Sequence, residues 1–173
     1  EASMRLAAEL EALELTVHPG HMTLQGRREE SMKLLQDSLE QIGRLSERIG
    51  VDVSLEIMEK IPKEFVTDAQ SMKEAAGSRK NQFFYTLDIA HCDSEEEPFY
   101  ILDQLKRISK IHISNRKGGC YHTPLGNGDF SFKEMLPKLL AYGLPLVTEG
   151  YDDSRDFHRF MENTAFLKTN GGL

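Results

Sequence analysis

Five residues that can bind a metal or move a proton recur along this chain: His18, Glu56, Asp88, His112 and Glu149. The steps between them are 38, 32, 24 and 37 residues. Carboxylates and imidazoles ligate divalent cations and exchange protons in water near neutral pH. Taken singly, each is most simply a polar group facing solvent. Together they share a context, because each closes a short apolar run.

The runs are Leu13-Glu14-Leu15-Thr16-Val17, Val51-Asp52-Val53-Ser54-Leu55, Phe83-Phe84-Tyr85-Thr86-Leu87, Ile108-Ser109-Lys110-Ile111 and Leu144-Pro145-Leu146-Val147-Thr148. All are strand-length, and most are rich in β-branched or aromatic residues. Helical patterns separate them. Leu35, Leu39, Ile42, Leu45 and Ile49 fall at helical spacing and end at Gly50. Thr67 with Gln70 and Ser131 with Glu134 read as capping boxes, and Pro98 suits a first helical turn. A last helix is expected over 154–166, with Asn170-Gly171-Gly172 fraying after it.

Alternation of strand and helix at this interval predicts parallel βα units, an α/β fold. In a parallel (β/α) barrel, a residue ending a strand faces the mouth where active sites collect. Strand periodicity puts Thr16, Ser54, Thr86, Lys110 and Val147 on the same inward face, while Leu15, Val17, Val53, Leu55, Tyr85 and Leu87 face the helices. Lys110 fits this scheme least. Carboxylates crowded into a half-enclosed mouth must be neutralised or protonated. Oxygen-rich ligands with imidazole suit Mn²⁺, Mg²⁺, Co²⁺ or Zn²⁺.

Composition sets outer bounds. The 173 residues suffice for one domain over 1–173 with a sizeable core. A net charge of −7 offers no broad attraction to nucleic acid or anionic lipid, and no apolar run reaches membrane-spanning length. Two cysteines, Cys92 and Cys120, fit a reducing cytoplasm and read as bystanders. Gly126 and Gly128 lack the Lys-Ser/Thr pair of a phosphate-binding loop. His21 reads as a loop-surface histidine and His158 as a helix residue at the core edge or in solvent. His91, three residues past Asp88, and His122, in the long loop from Gly118 to Asp129, read as site residues.

The ionisable residues also sit in recurring phrases: Val17-His18-Pro19-Gly20, Leu55-Glu56, Leu87-Asp88-Ile89-Ala90-His91, Ile111-His112-Ile113-Ser114, His122-Thr123-Pro124-Leu125-Gly126-Asn127-Gly128 and Thr148-Glu149-Gly150. In this order they resemble the xylose isomerase-like TIM-barrel superfamily of sugar isomerases, sugar epimerases and endonuclease IV-like proteins. Among the epimerases, the resemblance implies one metal held by Glu56, Asp88, His112 and Glu149. Glu56 and Glu149 would double as acid and base about a metal-stabilised enediolate of a sugar or sugar phosphate. It further implies that His91, Arg116 and His122 contact substrate. Among the endonuclease IV-like proteins it implies a zinc phosphodiesterase of abasic DNA, with His18, His91 and His122 joining the ligand set. Cys120 departs from that group, which has aspartate there.

A full barrel takes about 250 residues. Five of eight βα units are expected here, the first three being missing, with the open sheet edges covered by a further segment or by a second copy of the chain. The isomerase or epimerase reading ranks first, the phosphodiesterase second, and a non-catalytic remnant or binding subunit third.

Overall fold

The computed structural model describes residues 1–22 and 27–171. Its elements run α1 (Ala2–Glu9), β1 (Glu14–Val17), α2 (Arg28–Ile49), β2 (Asp52–Glu56), α3 (Ala69–Ala76), β3 (Phe84–Asp88), α4 (Glu97–Gln104), β4 (Ile108–Ile113), β5 (Asn115–Lys117), β6 (Cys120–Thr123), α5 (Phe132–Leu140), β7 (Leu146–Thr148) and α6 (His158–Asn170). All five expected strands form, and they pair in parallel in the order β1-β2-β3-β4-β7. The result is a half-barrel of βα units, with β1 and β7 as the two edges of this sheet among the described residues.

Alternation along the strands sorts the two faces as expected. Val53, Leu55, Tyr85, Leu87, Ile111 and Ile113 are buried in one apolar cluster with Leu35, Leu39, Met72, Ile101, Met135 and Leu139 from the surrounding helices. Leu15 and Val17 pack against it from the edge. Burial of this layer supplies the main stabilisation, at about 25 cal/mol per Å² of apolar area. Gly50 closes α2 in the left-handed conformation, with φ 80°, and its N–H reaches the Ser46 carbonyl.

Several local expectations need correction. The capping box of α3 is Asp68 with Ser71, one residue later than Thr67 with Gln70: Ser71 N donates to Asp68 Oδ1 at 2.7 Å. An aspartate outcompetes threonine at this position because its side chain is an ionised acceptor beside the helix N-terminus. Ser131 does precede α5, but its side chain caps nothing. The last helix begins at His158 rather than near 154. Asp152 accepts from Ser154 N (3.0 Å) and Phe160 N (3.1 Å), and Ser154 Oγ accepts from His158 N (2.8 Å), so a side-chain-bonded turn occupies the expected first turn. Gly172, in the segment expected to fray, lies outside the described residues.

The inward face carries a polar floor. Ser54 and Thr86 hydroxyls lie 2.6 Å apart, and Ser109 Oγ donates to Glu14 Oε1 at 2.9 Å. Lys110, the residue that fitted the inward face least, pairs with Glu14 across the concave surface. A bulge lies just before it: Tyr85 faces Ile108, yet Thr86 faces Lys110, so Ser109 is an extra residue. Ile108 therefore turns to the helices, while Lys110 and His112 turn inward.

Both partners of the Glu14–Lys110 pair keep only 17% of their side-chain surface exposed. Glu14→Ala should strip a largely buried ammonium of its counter-charge and cost about 1–3 kcal/mol, below the range for fully buried pairs. Adding Lys110→Met should restore most of that loss. Urea denaturation of the single and double variants measures both, and equal stability of all three proteins would contradict the pairing.

Candidate metal centre

The centre is assembled by strand register. Val17 pairs with Leu55, so His18 stands level with Glu56. Glu56 faces Thr86, and Asp88 lies two residues further along; Asp88 is level with His112. His112 faces Val147, and Glu149 again lies two residues beyond. Every offset is zero or two residues, so all five side chains stay on one face of a period-two structure.

One atom from each of four residues converges. Ligand atoms of Glu56, Asp88, His112 and Glu149 all lie within 4.8 Å of one another. A divalent cation bonded at about 2.0–2.2 Å spans opposite ligands about 4.4 Å apart, so small side-chain adjustments suffice to enclose one. Glu56 Oε1, Asp88 Oδ2, His112 Nδ1 and Glu149 Oε2 are each buried without a hydrogen-bond partner. His112 Nδ1 lies 2.6 Å from Glu149 Oε2, 3.5 Å from Glu56 Oε1 and 3.9 Å from Asp88 Oδ2. The 2.6 Å contact is an ionic approach rather than a directed hydrogen bond, since both atoms remain without one. Buried polar atoms are normally paired. Four unpaired atoms aimed at one point fit a cation, and the donor set of three carboxylates and one imidazole is chemically right for it.

Protonation tells the same story. Burial first, then the charges of Glu56 and Glu149, push the Asp88 carboxyl well above the usual carboxylate range. Burial opposes a charged His112, but contacts with Glu149 and Glu56 outweigh it and raise the imidazole to about 10. His112 in turn holds Glu149 down at about 2. Glu149 and Asp88 share this charge cluster with opposite results, because only Glu149 touches the imidazolium closely. Without a cation, protons on Asp88 and His112 neutralise the cluster.

A second group adjoins the first: Asp88, His91 and His122 also offer ligand atoms within 4.8 Å of one another. Nδ1 of His91 contacts the Ile57 carbonyl at 2.8 Å, which orients its ring. His122 Nδ1 lies 3.0 Å from Ser114 Oγ and 3.9 Å from Asp88 Oδ2. Burial lowers its pKa, which favours the neutral form that ligates. Its segment is the second strand of a hairpin, β5–β6, where an irregular loop was expected. The signal was present: Gly118 and Gly119 both adopt positive φ, 54° and 85°, as a two-residue hairpin turn requires. His18 Nε2 sits 3.3 Å from Glu56 Oε2 at the exposed rim.

The structure brings His18, Glu56, Asp88, His91, His112, His122 and Glu149 together. Arg116 stands apart. Its guanidinium is held by the Cys92 carbonyl and by Asp93 (3.4 Å) and lies over the Tyr121 ring, 5.3 Å from its centroid. His21 lies at the cleft edge, His158 is exposed at the start of α6, Cys92 is buried and Cys120 exposed. Glu59, on the loop after β2, was not anticipated; its Oε2 lies 3.6 Å from His91 Nε2. The three-residue offset that singles out His91 after Asp88 also singles out Glu59 after Glu56.

Comparison with known proteins agrees with this architecture. A solved structure of a D-tagatose 3-epimerase-like protein superimposes with a TM-score of 0.83 at 22% identity, over 98% of this chain and 66% of the other. An L-ribulose 3-epimerase gives 0.74 at 14% identity, over 98% and 64%. The IOLI protein, solved with a binding zinc atom, gives 0.69 at 18% identity, over 99% and 64%. This chain thus spans about two thirds of the length of these structures. The search of curated proteins found no match. No described helix is long and apolar enough to cross a membrane. The profile of one family matches residues 1–169, and the chain belongs to that family, the xylose isomerase-like TIM barrels.

Proposed function

We propose that this chain carries the divalent-metal centre of a sugar isomerase or epimerase, which moves a proton on the carbon beside a carbonyl. One observation carries the reading: four buried ligand atoms without hydrogen-bond partners converge from Glu56, Asp88, His112 and Glu149. The similarity to structures named as epimerases, and to one solved with zinc, supports it. Mn²⁺, Mg²⁺, Co²⁺ and Zn²⁺ all suit the ligand set.

Held there, the cation would draw charge from the carbonyl oxygen as the adjacent C–H proton leaves. The chain supplies the proton carriers. Glu149 borders the centre and is partly open to solvent, so its carboxylate is the accessible proton acceptor of this reading. Glu56 is enclosed, with Oε1 facing the centre and Oε2 facing His18. His18, largely exposed, gives Glu56 a route for protons to and from water. Removal by one glutamate and return by the other inverts the carbon when they act on opposite faces. In this reading His91 and His122, which adjoin the centre, contact substrate oxygens.

A zinc phosphodiesterase is the second reading, favoured by the adjoining Asp88–His91–His122 group. Three zinc ions per chain and nicking of an abasic duplex would establish it. A binding subunit would hold no metal.

Elemental analysis of the purified protein should find one tightly bound divalent ion per chain. Glu56→Gln or Glu149→Gln should slow exchange of the substrate's C–H into D₂O by about 10²–10⁴-fold, as expected for loss of a general acid or base. Exchange at the wild-type rate in both variants would remove them from the reaction.

Metal affinity should climb with pH. His112, raised to about 10, holds a proton at neutral pH in the metal-free protein, and the shift of Asp88 runs in the same direction. A cation must displace the His112 proton, so binding should release about one proton or more near pH 7. Calorimetry in buffers of different ionisation enthalpy counts them. Affinity independent of pH, with no protons released, would contradict the assignment.

A further inference from the structure

The β5–β6 hairpin does not run as a regular ladder. Asn115 faces Thr123 and Arg116 faces Tyr121, so His122 is an extra residue, a bulge. His122 also has φ 59°, in the left-handed region that favours glycine. In an unbroken strand Tyr121 and His122 would point to opposite faces. Here both rings meet His91 edge-on, with centroids 6.0 Å and 5.3 Å from its own. His91 is only 5% exposed and has one ring nitrogen against the Ile57 carbonyl. The bulge thus sets two consecutive hairpin side chains against one buried histidine from another segment.

A backbone of this kind persists only where its surroundings hold it. Arg116, the partner of Tyr121 across the ladder, supplies the hold. Its Nη1 donates to the Cys92 carbonyl, one residue beyond His91, and lies 3.4 Å from Asp93 Oδ1. The guanidinium covers the Tyr121 ring at 5.3 Å, and the side chain keeps 19% of its surface exposed. Asp93 also meets Lys60 at 3.1 Å, which ties in the segment after β2. Ser114 Oγ, 3.0 Å from His122 Nδ1, orients that ring. His91 and His122 line the cleft beside the metal-ligating groups, and Arg116 does not.

We infer that Arg116 is a positioning residue: it clamps Tyr121 and the bulged His122 against His91, and acts on a substrate only through the two histidines. Its effect on turnover rests on the isomerase or epimerase reading; the clamp does not.

The test is NMR on the Mg²⁺-loaded full chain, reading ring-to-ring NOEs from His91 to Tyr121 and to His122. Both should be present in the wild type and lost in Arg116→Ala. Arg116→Lys keeps a donor for the Cys92 carbonyl but gives up the flat contact with Tyr121, so it should weaken them less. If Arg116→Ala does not fold, the weakening in Arg116→Lys decides. Metal stoichiometry should stay the same in both. With D-fructose as probe, kcat/KM for exchange of the C–H beside the carbonyl into D₂O should fall about 10–100-fold in Arg116→Ala, chiefly through KM, the scale of a misplacement by about 1 Å. NOEs of wild-type strength in both variants overturn the inference. So does a fall in kcat/KM with the NOEs intact, which is the mark of direct substrate contact. The NOEs need no turnover, so the two claims separate. Loss of the NOEs in Arg116→Ala, with no exchange in the wild type, upholds the clamp and counts against the isomerase or epimerase reading. Exchange in the wild type, with the NOEs unmoved in both variants, leaves that reading standing and this inference fallen.

Discussion

Mutual repulsion among buried carboxylates is the constraint on which this structure turns. Glu56 and Asp88 are each 1% exposed or less, and Glu149 points its Oε2 at the same spot. Such a cluster persists only with positive charge in its midst, from protons on Asp88 and His112 or from a cation. The cost of holding it is met by the apolar layer behind the sheet, where Leu55, Leu87 and Ile111 are fully buried against the helices. Site and core thus occupy opposite faces of the same strands. A residue's parity along its strand decides which one it serves.

Parity explains what was legible in the sequence. Five apolar runs ending in an acid or imidazole specify both the strand and its inward face, so His18, Glu56, Asp88, His112 and Glu149 could be placed together without coordinates. Parallel pairing then fixes each to within two residues of the one on the neighbouring strand. Where a run obeys simple alternation, sequence and structure coincide.

Departures arose where side chains bond locally or where alternation breaks. Asp68 displaced Thr67 as the cap of α3 because a carboxylate accepts more strongly than a hydroxyl, a competition between adjacent residues that pattern matching does not resolve. Asp152 and Ser154 hold a turn that delays α6 by four residues. The β5–β6 hairpin hid behind three- and four-residue strands, too short to show periodicity, although Gly118-Gly119 marks its turn. Glu59 carried only the three-residue offset from Glu56, and its nearness to His91 is what gives that offset meaning.

The bulge at Ser109 shows most clearly how a small irregularity serves the site. Ile108 and Ile111 both belong to the apolar cluster, yet three residues is an odd spacing for one face of a strand. A regular β4 could bury both only by turning one of them away from the helices. Adding Ser109 to the ladder resolves the conflict: Ile108 and Ile111 reach the same core, and Lys110 and His112 both face inward. Lys110 then meets Glu14, and His112 reaches the three carboxylates. Lys110 and His112, two residues apart, keep the ordinary alternation beyond the bulge. The extra residue lets one strand satisfy the core on one side and the charge cluster on the other.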